Sequence, residues 1–107
     1  MPFTSRHAAT APTREAVDQL TGAAVLEFGT PWCGHCQRAQ PLIEQALEDE
    51  ANVAHIKVED GSGQRLGRSF GVKLWPTLIF LRDGKEVDRL VRPDSAQSIH
   101  EAIEKLT

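Results

Sequence analysis

Apolar positions along the chain fall into two periods. Ala23 to Phe28 is a continuous apolar run broken by one acid, Glu27, and reads as a strand covered on both faces. Val53 to Val58 alternates, with Val53, His55 and Lys57 set against Ala54, Ile56 and Val58, and predicts a second strand. Trp75 to Leu81 is a third, begun by a proline where the missing amide is tolerated. Asp83-Gly84 signals a hairpin, so Lys85 to Val91 returns as a fourth. Helical spacings lie between these runs. Thr13 caps a short helix carrying Ala16, Val17 and Leu20, with Gly22 closing it. Ala39, Leu42, Ile43, Ala46 and Leu47 form the stripe of a long helix from Cys33 to about Glu50, kinked at Pro41. Gln64 to Phe70 is a third helix, stopped by Gly71. Asp94 or Ser95 caps a last one, with Ile99, Ile103 and Leu106 inward. Residues 1–11 either start a short edge strand at Phe3 or stay flexible.

The order (β)αβαβαββα predicts an α/β domain, with a central mixed sheet flanked by helices on both faces. Residues 1–107 make a single domain, long enough to bury a real core. A net charge of −3 is too small to draw nucleic acid or an anionic membrane. No apolar run approaches the roughly 18 residues of a membrane span. Met1 to Thr13 has no apolar signal-like core, so the expected location is cytoplasmic.

The chemistry gathers at Trp32-Cys33-Gly34-His35-Cys36, which holds both cysteines of the chain. Two are too few for a disulfide scaffold. A C-x-x-C between a strand and a helix reads as a reversible dithiol/disulfide couple. A helix N-terminus stabilises a thiolate, so Cys33, at the cap, is the expected nucleophile. Cys36, one turn in, is shielded and resolves the mixed disulfide. His35, as an imidazolium or through its dipole, would favour the Cys33 thiolate and make the disulfide a stronger oxidant. Glu27 is costly to bury and should be partly protonated or paired, with Lys57 as its partner, and its use would be proton exchange with Cys36. A c-type haem site needs His directly after the second cysteine, where this chain has Gln37. A zinc site would recruit two of His7, His35, His55 and His100, which lack the usual spacing. No cofactor or metal is expected beyond the Cys33–Cys36 pair itself.

Phe28, the Trp32-to-Cys36 motif, Pro41, Lys57, Trp75-Pro76-Thr77 and Asp83-Gly84 cover roughly Ala23 to Val91, and in order and spacing the chain resembles the thioredoxin family. The resemblance implies a thioredoxin fold with Pro76 cis against the cysteine pair. It implies that Trp75 pairs its backbone with an extended substrate segment, in a groove that Trp32, Gly34 and Arg92 complete. It also implies protein disulfides as substrates and a recycling reductase such as a thioredoxin reductase; a monomer is the default expectation. Gly34-His35 and Glu27 look like the protein disulfide isomerase branch. Gly29-Thr30 departs from the aromatic usual after Phe28, and Arg92-Pro93 from a glycine usual at the groove edge. The expected activity is reduction of protein disulfides. The alternatives are a disulfide oxidase or isomerase, suggested by His35, and a redox-inert module docking through Trp32, Trp75 and Arg92.

Overall fold

A computed structural model describes residues 3–106. In chain order the elements are α1 (Arg14–Asp18), β1 (Ala23–Gly29), α2 (Gly34–Leu47), β2 (Val53–Glu59), α3 (Arg65–Ser69), β3 (Thr77–Arg82), β4 (Lys85–Val91) and α4 (Ala96–Glu104). The four strands form one sheet in the order β2-β1-β3-β4. β1 is parallel to β2 and antiparallel to β3, so it has a neighbour on each side. It is also covered above and below, which is why it is written as a continuous apolar run. On one face Val25, Val53, Leu78 and Phe80 pack with Ala39, Ile43 and Leu47 of α2 and Ile99 and Ile103 of α4. On the other, Ala24, Leu26, Phe28, Ile79 and Leu81 pack with Val17 of α1 and with Leu66 and Phe70. Glu27 points to the α2 side, into the first of these layers.

The mixed sheet with helices on both faces is as predicted, and the differences lie at element ends. Residues 3–11 form no strand. They run along the outer edge of β2, where Thr4 Oγ1 donates to the His55 carbonyl (2.9 Å) and the Ala8 amide to the Lys57 carbonyl (2.8 Å). Met1 and Pro2, at the head of the segment 1–11, lie outside the described residues. α2 runs through Pro41 but stops at Leu47 rather than near Glu50. Glu48, Asp49 and Glu50 would stack three acids on the negative end of the helix, and the chain turns there instead. β3 begins at Thr77 rather than Trp75, and Leu106 is buried in the turn after α4. Of the two candidate caps, Ser95 takes the role, its Oγ accepting the Ser98 amide at 3.1 Å. Among the described residues no helix is long and apolar enough to cross a membrane.

The site follows from this topology. β1 delivers the chain to the N-terminus of α2 through Thr30, Pro31 and Trp32, with Cys33 as the cap. Thr77 pairs with Phe28, which sets the residues before β3 at the same end of the sheet. The Trp75–Pro76 peptide there is cis, as the resemblance implied.

Candidate active site

Cys33 has extended backbone angles and caps α2 with its sulfur, which accepts the Cys36 amide at 3.2 Å. Both cysteines are free thiols. Cys33 is 8% exposed and Cys36 4%, so the predicted order holds by a narrow margin. The inner sulfur nests against the end of β1. A Cβ added at Gly29 would lie 2.5 Å from Cys36 Sγ, so this arrangement has no room for a side chain at that position. Burial, the hydrogen bond to Cys33 and the Cys33 and Glu27 charges push the Cys36 thiol up to about 12, against the pull of a backbone hydrogen bond from Thr30.

Beneath the thiols lies a buried polar cluster. Glu27 Oε1 accepts from His55 Nε2 at 2.8 Å, and Oε2 from Gln40 Nε2 at 2.7 Å. Lys57 Nζ lies 3.8 Å from Oε2 and donates to Gln40 Oε1 at 2.8 Å. Gln40 Nε2 also donates to the Cys36 carbonyl at 2.9 Å, joining the acid to the helix that carries the inner thiol. The strand register produces this cluster, because Glu27 sits directly opposite Lys57, and His55 is two residues back on the same face. Burial is the largest influence on Glu27 and pushes its pKa up. The hydrogen bonds from His55 and Gln40 and the Lys57 charge outweigh it, and the carboxyl is held below its ordinary range. Of the two predicted fates, partial protonation gives way to pairing, and the predicted partner Lys57 is more distant than His55.

Sequence reasoning missed His55 and Gln40 as members of the site. Both carried a signal. His55 shares the alternating face of Lys57, and Gln40 stands four residues after Cys36, one helical turn along the same side.

His35 is exposed, and its Nδ1 lies 3.1 Å from Arg38 Nη2. The Arg92 charge first, then slight desolvation and the Arg38 charge, hold its pKa below the ordinary imidazole value. Of the two predicted forms, imidazolium or neutral dipole, the imidazolium is disfavoured, because two arginines already occupy its surroundings.

The mouth is aromatic and basic. Trp32 is 72% exposed and meets Trp75 edge-on, with centroids 5.7 Å apart and an interplanar angle of 79°. Trp75 Nε1 donates to Asp60 Oδ2 at 2.9 Å. Arg92 adopts φ 51°, the left-handed region that favours the glycine expected there. Its amide donates to the Pro76 carbonyl and its Nε to the Trp75 carbonyl, both at 2.9 Å. Gly34 is exposed in the first turn of α2. A cavity of about 480 Å³ is lined by Glu27, Cys36, Gln40 and Lys57 and reaches Ser5 and His7. A larger one, about 800 Å³, opens at the start of β2 and holds neither cysteine. Among the described residues no group of three or more His, Cys, Asp or Glu side chains could hold a metal ion.

Comparison with known proteins gives concordant results. The family model Thioredoxin matches residues 6–105. Thioredoxin of Chlamydia trachomatis serovar D is 33% identical over 85 residues, spanning 79% of this chain and 83% of that protein. Human protein disulfide-isomerase A2 is 39% identical over 85 residues, spanning 74% of this chain but 16% of that much longer protein. Among solved structures, thioredoxin 2 from Pseudomonas aeruginosa PAO1 in its reduced form is 58% identical, with a TM-score of 0.86 over 97% of this chain and 96% of that one.

Proposed function

The chain belongs to the thioredoxin family of thiol–disulfide oxidoreductases, and on that premise we propose that it reduces protein disulfides through Cys33 and Cys36. The observation that carries the reading is a capping Cys33 joined to a Cys36 that is buried beside an ionised Glu27.

The cycle has two exchanges. The Cys33 thiolate attacks one sulfur of a substrate disulfide. A Cys33–substrate bond forms, and the other substrate sulfur leaves with the electron pair as a thiolate. Cys36 then gives its proton to Glu27 and attacks Cys33. The Cys33–Cys36 disulfide forms, and the second substrate sulfur leaves as a thiolate that takes up a proton. A thiol at about 12 is a poor nucleophile, and part of that elevation comes from Cys33 itself, through its hydrogen bond and its charge. The charge is removed once Cys33 is tied to substrate, so Cys36 becomes easier to ionise at the step that needs it. Lys57 and Gln40 steady the Glu27 carboxylate. Trp32, Gly34, Trp75, Pro76 and Arg92 form the surface against which the substrate segment lies.

The reducing direction is supported at His35, where the Arg92 and Arg38 charges disfavour the imidazolium that would have stabilised the Cys33 thiolate. The reading carries with it a monomer in a reducing, cytoplasmic setting, with electrons returned by a reductase of the thioredoxin-reductase kind. The second reading, an oxidase or isomerase, is favoured by Gly34-His35 and by the likeness to protein disulfide-isomerase A2. Equilibration with glutathione decides between them. A reduction potential near −270 mV, about that of thioredoxin, supports the reductant, and one near about −180 mV transfers the chain to the oxidising side. Cys33→Ser should abolish reduction of a protein disulfide with dithiothreitol as electron source, and retained activity would end the reading.

A further inference from the structure

His55 is buried, 28 residues from Glu27 in the chain, and bonded on both ring nitrogens. Its Nδ1 accepts the backbone amide of Thr4 at 2.7 Å. An amide hydrogen aimed at Nδ1 assigns the ring hydrogen to Nε2, the nitrogen 2.8 Å from Glu27 Oε1. The ring therefore donates to the carboxylate through Nε2. Protonating Nδ1 would set two N–H groups against each other. The N-terminal segment holds this arrangement from several sides. Phe3 stacks on the His55 ring with centroids 5.4 Å apart, and Thr4 Oγ1 bonds the His55 carbonyl. Ser5 accepts Lys57 Nζ through its carbonyl at 3.3 Å. Residues 3–8 thus grip the two β2 side chains that face the buried acid.

We propose that His55 is a positioning residue for disulfide exchange, fixed by the N-terminal segment so that its Nε2–H holds the Glu27 carboxylate at the cavity it shares with Cys36. The proposal rests on the reading that Glu27 takes the Cys36 proton. The effect of His55 is on the base. A hydrogen bond to an ionised group favours the ionised form, so losing it raises the pH at which Glu27 can act. The groups around Glu27 are Lys57 and His55 from β2, Cys36 and Glu44 from α2, and His7 from the N-terminal segment, with Glu59 acting on His7.

The test separates the two exchanges with a bis(nitrobenzoate) disulfide, whose coloured thiolates leave one at each step. His55→Leu should leave the first release unchanged. It should slow the second about tenfold at low pH and move its pH midpoint up by about one unit, with little change at high pH. His55→Gln, which keeps an N–H donor, should recover most of the loss. An unchanged profile in H55L overturns the proposal, as does a shift that appears in His7→Asn and not in H55L. Should H55L fail to fold, judged by circular dichroism, Thr4→Pro carries the test, because it removes the amide that sets the tautomer while keeping the imidazole. A T4P profile moved the same way supports the proposal, and an unmoved one overturns it. Glu27→Gln distinguishes the underlying reading. If it resolves at the parent rate at every pH, the Glu27 assignment falls, whereas a slow E27Q beside an unaltered H55L sinks His55 alone.

Discussion

Two histidines, one in the mouth of the site and one in its floor, make opposite use of the same side chain. His35 lies between the cysteines in sequence yet stands in solvent, among Arg38 and Arg92. His55 is 19 residues beyond Cys36 yet is sealed in the protein, with a hydrogen bond on each nitrogen. Nearness in the chain predicts the first as the electrostatic partner. Burial makes the second the stronger one, because charges in water are screened while a desolvated carboxylate is held by each donor that reaches it. The same division separates the whole floor, Cys36, Glu27, Gln40, His55 and Lys57, from the mouth of Trp32, Gly34, His35 and Arg92.

The largest effect expected from this division is at the inner sulfur. Cys36→Ser should stop the cycle after the first exchange, with substrate held on Cys33 and turnover at background. Mass spectrometry of the trapped covalent complex is the direct check. Sustained turnover by C36S would mean that the mouth works without the floor.

Next come two glycines, one in the floor and one in the mouth. Gly29→Ala puts a methyl group against Cys36 Sγ, and overpacking of this kind costs about 1–3 kcal/mol, read as a lower denaturant midpoint at unchanged slope. Gly34→Ala places its methyl 3.7 Å from Arg38 Nη1, an ordinary contact in the first turn of α2. It should be neutral or stabilising by up to about 1 kcal/mol, since alanine is the better helix former. Equal losses at both positions would erase the contrast between a packed floor and an open mouth.

Most of the fold was legible because periodicity reports burial. The apolar run of β1, the alternation of β2, the Asp83-Gly84 turn and the inward positions of α4 all appear where they are written. Element ends were less legible, since they depend on local competition, as at Glu48 to Glu50, where acids meet the helix dipole. The site divided in the same way. The C-x-x-C gave both sulfurs and their order. The cluster under them was half visible, because Glu27 opposite Lys57 is a register that alternation can suggest. The His55 bond depends on how far an imidazole reaches into the acid and on an amide of the N-terminal segment, and no local pattern encodes that. The surroundings of His35 were not legible for a related reason, since Arg92 is 57 residues away in sequence and comes close only in the fold.

Stability against pH should show the floor at both extremes. Glu27 has a folded pKa below its ordinary carboxylate value, so its stabilising contribution is present above that value and is lost as pH falls through the folded one. Cys36 runs the other way. Its folded pKa of about 12 lies above the ordinary 9.0, so the reduced protein binds an extra proton in this interval and loses stability as pH rises across it. Denaturant midpoints taken across pH should therefore fall at both ends. The acid limb should flatten in E27Q and the alkaline limb in Cys36→Ala. Limbs that persist unchanged in these variants would assign them to other groups.

The smallest effect belongs to the mouth. His35→Gln removes a side chain that is exposed and, near neutrality, mostly uncharged, with Arg92 and Arg38 disfavouring its proton. The reduction potential should then move by less than about 30 mV, the equivalent of a tenfold change in the exchange equilibrium. What change there is should shrink further with added salt, as interactions between solvent-exposed charges do. A fall much larger than this, persisting at high salt, would mean that His35 acts on the Cys33 thiolate through an environment less wet than its exposure indicates. The mouth would then rank with the floor as a source of redox tuning, and the oxidising reading of the Gly34-His35 pair would regain its footing.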